Sequence, residues 1–338
     1  MRTQLPVAAV ASLLASASLF APMSSVAGQR GLATPGGARD VTVQGIAGVV
    51  EAGSVWVRSW QGADNADGLV GANDGTLLFA QEQPNRVSRL DAADRVSVAF
   101  ENTRSAGALA IDRRGRVLAA LRTCTDPGGK PEQCTEPTAI AELSPARTTL
   151  ASTFEGRPLG RLNDLVVHAS GGVFFTVGGA FFSNAAGTVT SLGENIRANG
   201  IMLSPDEKTL YVTNGADILA FDVGADGATS NRRSFASLQA GGTGDGLAVD
   251  AAGRLYVTSQ PGVQVFEAGG RYLGLIPTPR NAISVAFAGP GKRTLYVVGS
   301  GGVGPDGQEL VTPPGVRNNA KTIYKLPMLA SGYAGRAK

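Results

Sequence analysis

The chain has 338 residues, of which 17% are charged and 46 are glycine, and its formal net charge is only +3. Acids and bases are interspersed, which argues against the clustered basic stripe of a nucleic-acid-binding surface. The single histidine, His168, excludes a multi-histidine zinc site, and a Ser-His-Asp triad would need that residue. Abundant glycine mixed with valine, leucine and threonine indicates many short strands joined by tight turns.

The N-terminal segment is typical of a secretory signal peptide. Arg2 supplies a positive charge, residues 5–20 are mostly apolar, and Ser-Val-Ala at 25–27 offers the small residues that a signal peptidase reads. The apolar run is short for a membrane span. We therefore predict a signal peptide over residues 1–27 and a chain exported to the periplasm or the exterior, with no membrane span after cleavage. An uncleaved anchor is the alternative.

One sequence unit recurs six times after a predicted flexible leader at residues 28–40. In Asp245–Thr258 the unit reads as a polar residue, a short apolar strand, a tight turn and a second apolar strand. The first residues of the six copies lie 40, 56, 36, 46 and 38 positions apart. We call them the gate residues, and they are Asp67, Gly107, Asn163, Asn199, Asp245 and Ile283.

Four short strands in each unit of about 40 residues is the period of a β-propeller blade. We therefore predict an all-β fold, a six-bladed β-propeller with four-stranded blades over residues 41–328, followed by a C-terminal tail at 329–338. Strands from both termini must complete one blade to close the ring, and Thr322–Leu326 is the C-terminal candidate. The Gly- and Pro-rich insertion Gly299–Asn319 interrupts blade six and is expected near the mouth of the ring. A β-sandwich is the alternative, but it has no reason to repeat one unit six times.

Two cysteines, Cys124 and Cys134, flank a turn-rich loop in the second copy. In an exported protein, a pair that closes a short loop is most simply a disulfide. Two free thiols are the alternative, and two sulfurs are too few for a closed structural metal site. The sequence therefore predicts a disulfide between Cys124 and Cys134.

The gate residues carry the strongest functional signal in the sequence. In a propeller the innermost strand of each blade lines the central channel, so the gate residues are expected to converge on its axis. Oxygen donors without His or Cys favour a hard cation, and mixed carboxylates and amides suit Ca²⁺ in particular. The gate residues that bear a side-chain oxygen are Asp67, Asn163, Asn199 and Asp245.

Asn and Asp are also ordinary turn residues that bond their own backbone, which is the structural alternative for each gate residue. The same alternative is our prediction for the acids in the turns at the far end of the inner strands. Those acids are Asp74, Asp112, Asp206 and Asp250.

Three stretches resemble the senescence marker protein/gluconolactonase family, which includes regucalcin: Arg161–Val167, Asn199–Asp206 and Asp245–Asp250. The resemblance extends from about Asp67 to Leu326. It implies a six-bladed propeller with an axial divalent cation, usually calcium, with Zn²⁺, Mg²⁺ and Mn²⁺ as alternatives. The residues that it assigns to the metal are Asp67, Asn163, Asn199 and Asp245.

The resemblance also places Arg161 against the substrate, and the sequence departs from the family pattern at two positions. Asp67 stands where the family usually has Glu, and the shorter side chain lengthens a metal contact or admits a bridging water. Leu162 stands where Pro is usual. Glu51 is another acid of this region, but it lies too far before the second strand of blade one to occupy the gate position.

The function expected from these features is metal-dependent hydrolysis of a lactone or another small ester. The cation would polarise the carbonyl, Asp245 would accept a proton from the attacking water or bind the metal, and Arg161 would hold the substrate. Phosphotriester or aryl-ester hydrolysis at the same site is one alternative. A non-enzymatic binding propeller with a structural calcium is another. His168 is expected to be a surface or packing residue.

Overall fold

Short β-strands dominate the part of the chain that the structure describes. This computed structural model describes residue 1 and residues 38–123, 136–304, 308–314 and 318–336. The predicted signal peptide beyond Met1 and both cysteines therefore lie outside the described residues. Within these ranges, no helix is long and apolar enough to cross a membrane.

The strands form six four-stranded antiparallel sheets and one small hairpin. The first strand is β1 (Val57–Gly62). Blade one contains β2 (Asp67–Gly71), β3 (Leu77–Gln81), β4 (Arg86–Leu90) and β5 (Val96–Glu101). Blade two contains β6 (Ala106–Ile111), β7 (Val117–Leu121), β8 (Ala139–Ser144) and β9 (Thr148–Ala151), and the hairpin of β10 (Thr153–Phe154) and β11 (Arg157–Pro158) follows it. Blade three contains β12 (Leu165–Val167), β13 (Val173–Val177), β14 (Gly179–Ser183) and β15 (Val189–Ser191). Blade four contains β16 (Ile201–Leu203), β17 (Thr209–Asn214), β18 (Asp217–Val223) and β19 (Thr229–Ser237). Blade five contains β20 (Leu247–Val249), β21 (Leu255–Ser259), β22 (Gly262–Phe266) and β23 (Tyr272–Pro277). Blade six contains β24 (Ala282–Ala288), β25 (Thr294–Ser300) and β26 (Lys321–Pro327), with the short 3-10 turn Pro290–Lys292 between β24 and β25.

The six sheets are the blades of a closed ring. Each innermost strand contacts the innermost strands of both neighbours, in the cyclic order β2, β6, β12, β16, β20, β24 and back to β2. Blade six is closed by strands from both ends of the chain, because β1 pairs antiparallel with β26 as its outermost strand. The predicted six-bladed propeller with joint N- and C-terminal closure is therefore confirmed.

The inner hairpins follow directly from the alternating apolar residues. In blade five, Leu247 pairs with Val257 and Val249 pairs with Leu255, and all four are buried between blades. Asp250 forms the turn by accepting hydrogen bonds from backbone N–H groups of its own turn. Backbone N–H groups of their own turns likewise donate to Asp74, Asp112 and Asp206. These four acids are turn residues, as the sequence indicates.

The ring has two different faces. We call the face where the innermost strands begin the gate face, and the opposite face, where they turn into the second strands, the turn face. Ala282 pairs with Gly299, so the insertion after β25 starts on the gate face, as expected. A buried ion pair attaches the insertion to the ring, with Arg280 Nη2 2.7 Å from Glu309 Oε2.

Candidate functional site

The four oxygen-bearing gate residues surround one cavity on the ring axis. Asp67 is the first residue of β2. Asn163, Asn199 and Asp245 each lie two residues before the start of an innermost strand, β12, β16 and β20 respectively. The cavity has a volume of about 20 Å³, which is room for about one water molecule or one ion. The residues that line it on the gate face are Asp67, Gly68, Ala108, Asn163, Asp164, Asn199, Asp245, Gly246, Leu247, Ile283, Ser284 and Val285.

Glycine follows three of the gate residues, Asp67, Asn199 and Asp245, because neighbouring blades meet closely at the axis. A β-carbon on Gly200 would lie 2.0 Å from the carbonyl oxygen of Asp245 in the next blade. Gly68 has a positive φ of 55°, and a β-carbon there would lie 2.5 Å from the Cα of Ala108. The Asp-Gly and Asn-Gly pairs of the sequence thus allow the gate side chains to converge.

Hydrogen bonds fix two of the gate amides and the acid beside them. Asn163 donates from Nδ2 to Oδ1 of Asn199 over 2.8 Å, which couples blades three and four. The carboxylate of Asp164 accepts from the backbone N–H of Leu165 at 2.9 Å and of Ile201 at 3.0 Å. Asp164 therefore ties two inner strands together while it contributes negative charge to the cavity wall.

A buried arginine, Arg122, contacts two of the gate residues, and the sequence does not reveal it. Its guanidinium donates to the carbonyl oxygens of Leu162 and Asn163, each over 2.7 Å. It also donates to Oδ1 of Asn163 at 3.2 Å and to Oδ2 of Asp67 at 3.3 Å. Burial raises the pKa of Asp67, and Arg122 opposes that increase.

Glu82 is the second functional side chain that the sequence does not reveal. Its side chain is fully buried, and it forms ion pairs with both Arg122 and Arg161. Arg161 donates from Nη2 to both carboxylate oxygens of Glu82, at 3.1 and 2.9 Å. Among the described residues, the buried Nη1 of Arg161 has no hydrogen-bond partner. Glu82 therefore holds the guanidinium of Arg161 and, through Arg122, is connected to the gate residues Asp67 and Asn163.

Glu82 and Arg122 occupy equivalent positions of the repeat in neighbouring blades. Each is the first residue after the second strand of its blade, β3 or β7, where the chain returns to the gate face. The signal that could have found them is a charged residue directly after a run of buried apolar residues. Their mutual pairing is a contact between two blades, which a sequence pattern does not show.

The donor set of the gate cavity fits a hard divalent cation. Among the described residues, no cluster of three or more His, Cys, Asp and Glu side chains could hold a metal ion. The amide oxygens of Asn163 and Asn199 would therefore complete the set that the carboxylates of Asp67 and Asp245 begin. Two carboxylates and two amides around a cavity of one-ion size are ligands that Ca²⁺ and Mg²⁺ accept.

Two further residues, His168 and Glu51, lie away from the gate cavity. His168 lies on the turn face, where Nδ1 accepts from the backbone N–H of Ser170 at 3.2 Å and the ring packs edge-on against Phe174. Burial lowers the pKa of His168. Glu51 is exposed and does not line the gate cavity.

A closed six-bladed ring with oxygen donors converging on its axis defines the class of this protein: an all-β propeller with a candidate site in the axial cavity of the gate face. Residues 66–301 match the SMP-30/Gluconolactonase/LRE-like region family, and the chain belongs to that family. The family that the sequence motifs resemble is thereby confirmed.

Three characterised relatives are similar in sequence. A pentonolactonase of Haloferax volcanii is 31% identical over 51% of this chain and 64% of its own length. A gluconolactonase of Zymomonas mobilis is 26% identical over 48% of this chain and 55% of its own length. Regucalcin of Xenopus laevis is 25% identical over 66% of this chain and 79% of its own length. The matched region thus spans less than two thirds of the two lactonases.

Solved structures share the fold at lower sequence identity. A gluconolactonase from Xanthomonas campestris superposes with a TM-score of 0.67 at 22% identity, covering 86% of this chain and 97% of that one. A calcium-binding regucalcin from Agrobacterium tumefaciens gives a TM-score of 0.62 at 19% identity, covering 87% and 97%. These similarities support the propeller architecture.

Proposed function

We propose that this protein is a metal-dependent hydrolase that opens lactones at the gate cavity. The observation that carries the proposal is the convergence of Asp67, Asn163, Asn199 and Asp245 on one ion-sized cavity. Membership of the family supports it, as do the two relatives named as lactonases. Phosphotriester and aryl-ester hydrolysis are the alternative chemistries of the same site.

A divalent cation, calcium first and zinc, magnesium or manganese as alternatives, would supply Lewis acidity towards a carbonyl oxygen when bound. The four oxygen-bearing gate residues would hold it. Asp67 and Asn163 are already oriented by Arg122. The carbonyl oxygen of Leu162 accepts from the same guanidinium, so the loop before blade three is fixed as well.

The protein residues would act on the substrate and on the attacking water. Asp245 accepts a proton as the water oxygen bonds to the carbonyl carbon. The ring C–O bond then breaks and the ring oxygen takes that proton back from Asp245, which leaves a hydroxy acid and the original carboxylate. Arg161, whose side chain is 35% exposed and is held by Glu82 through Nη2, binds a hydroxyl or carbonyl oxygen of the substrate.

Chelation followed by a substrate panel tests this proposal. We expect hydrolysis of sugar lactones to fall to background after dialysis against a chelator and to return when Ca²⁺, or one of the other divalent ions, is added back. Preference for aryl esters or phosphotriesters would select the alternative chemistry. Full lactonase activity without metal would refute the metal-dependent mechanism. Inactivity on every substrate, with metal raising only the melting temperature, would indicate a binding propeller.

We also propose that the chain is exported and carries the disulfide between Cys124 and Cys134. The N-terminal pattern and the turn-rich loop between the cysteines support this proposal. Expression of the full chain with secretion is expected to yield a mature protein that begins at Gly28 and has no free thiol under denaturing conditions. N-terminal sequencing and thiol titration check both points, and an intact N-terminus with two titratable thiols would contradict them.

A further inference from the structure

A second and larger cavity lies on the turn face, away from the gate cavity. Its volume is about 420 Å³, and the turns of blades two, three and four form it together with the C-terminal segment. The charged residues of its lining are Asp112, Arg113, Arg114, Arg116, Glu207 and Arg336. Four guanidinium groups thus face two carboxylates, and we call this cavity the basic groove.

The two carboxylates of the basic groove are already engaged by other groups. Asp112 forms its own turn, and its Oδ2 accepts from Nε of Arg116 at 2.7 Å. Glu207 accepts from the backbone N–H of Ala169 at 2.6 Å and from Nε of Arg113 at 3.0 Å. Arg116 also donates from Nη1 to Oε2 of Glu142, outside the lining, at 3.0 Å. The four guanidinium groups therefore stand against three carboxylates, one positive charge remains, and Arg114 contributes an exposed side chain to the groove.

Arg336 forms part of the groove lining and is only 4% exposed. Its Nη2 donates to the carbonyl oxygens of Leu203 and Ser204, at 3.0 and 3.1 Å. Its Nε is buried and lies 3.7 Å from Oε1 of Glu207, with no hydrogen-bond partner among the described residues. Arg336 therefore places a buried positive charge in the wall of the groove, whereas the exposed donors come from the turn of blade two.

The turn of blade two does not require Arg113 and Arg114. Blade five builds the same turn from the sequence Asp-Ala-Ala-Gly-Arg at 250–254, where blade two has Asp-Arg-Arg-Gly-Arg at 112–116. In both turns the aspartate accepts from the backbone N–H groups two and four residues later, at 2.8 and 2.9 Å in blade two and at 2.9 Å in blade five. The last arginine of each turn, Arg116 or Arg254, donates from Nε to Oδ2 of the aspartate, at 2.7 and 2.6 Å. Two alanines therefore suffice for the turn, and the two arginines are additional to it.

We propose that the basic groove binds a compact dianion, an oxyanion or a small dicarboxylate, at Arg113 and Arg114, with the buried charge of Arg336 in the same lining. Planar guanidinium groups bind carboxylate and phosphate-type oxygens through paired, charge-assisted hydrogen bonds. The site is separate from the gate cavity, since none of its lining residues is shared with that cavity.

Calorimetric titration of the full chain with sodium sulfate and sodium succinate, at constant ionic strength set by sodium chloride, tests the proposal. The decisive variant is R113A/R114A, which recreates the turn of blade five. We expect the wild type to bind at least one dianion and the variant to bind it about tenfold or more weakly, with the same circular dichroism spectrum. Sulfate binding alone would assign a phosphate-type ligand, and succinate binding alone would assign a dicarboxylate.

The matched control is R89A, which removes an exposed arginine of blade one that does not line the basic groove. It should bind the dianion as the wild type does. Equal weakening in R89A would show a general charge effect and overturn the proposal. Undiminished binding in R113A/R114A, or no binding of either dianion by the wild type, would overturn it as well.

Discussion

Replacing Asp245 by Asn is expected to lower kcat/KM for lactone hydrolysis by about 10²–10⁴-fold, because the amide accepts no proton from water. The substitution keeps the size of the side chain and one carbonyl oxygen. Asp245 lies directly before Gly246, whose backbone N–H donates to the carbonyl oxygen of Ile283 at 3.1 Å. The backbone at this point should therefore stay in place, and steady-state kinetics report on the carboxylate alone.

The control for this prediction is D226N, which makes the same change in an exposed turn of blade four. It should leave kcat/KM unchanged. Measuring Ca²⁺ affinity of D245N by calorimetry separates the two roles of Asp245. A loss of affinity that matches the loss of activity identifies a metal ligand, and a loss of activity with affinity retained identifies a proton acceptor. Activity and affinity equal to those of the wild type would remove Asp245 from the site.

The fold and the four gate residues were predictable because both follow from repetition. A unit that recurs six times at intervals of about 40 residues predicts a six-bladed ring. In such a ring, equivalent positions of the copies lie around one axis. Asp67, Asn163, Asn199 and Asp245 could therefore be brought together without any knowledge of distant contacts. The turn role of Asp250 was predictable for the same reason, since hydrogen bonding within a turn is local.

Residues that differ between the copies of the repeat, or that lie outside it, could not be predicted in the same way. Glu82 and Arg122 occupy one position in two blades, and only the closed ring shows that their side chains pair. Arg161 was expected to face a substrate, but its attachment to Glu82 depends on the same closure. Arg336 belongs to the C-terminal segment, which has no repeat pattern, yet it is buried among residues of blade four.

The formal charge of the gate site supports the proposed cation. Four carboxylates, those of Asp67, Glu82, Asp164 and Asp245, stand against the guanidinium groups of Arg122 and Arg161 at or beside the cavity. By formal charge two negative charges remain, and the proposed divalent ion would neutralise them. The two arginines match only two of the four carboxylates, so they would orient the site without substituting for that ion.

Replacing Glu82 by Gln is expected to lower the free energy of unfolding by about 3–5 kcal/mol, because Arg122 then stays buried with Asp67 as its remaining ion-pair partner. Gln keeps the shape of the side chain, so the effect reports on lost charge. Arg161 also loses its counter-ion, and KM for the lactone should rise more than kcat falls. Urea denaturation and steady-state kinetics measure the two effects.

The control is E267Q, which removes the charge from an exposed ion pair between Glu267 and Arg271. Water and salt screen that pair, so the stability should change little. Equal effects of E82Q and E267Q would show that the pairing of Glu82 with two arginines is not what stabilises the gate face. A stability loss without a change in KM would separate the two arginines: Arg122 would depend on Glu82 for its burial, whereas Arg161 would bind substrate without needing Glu82 to orient it.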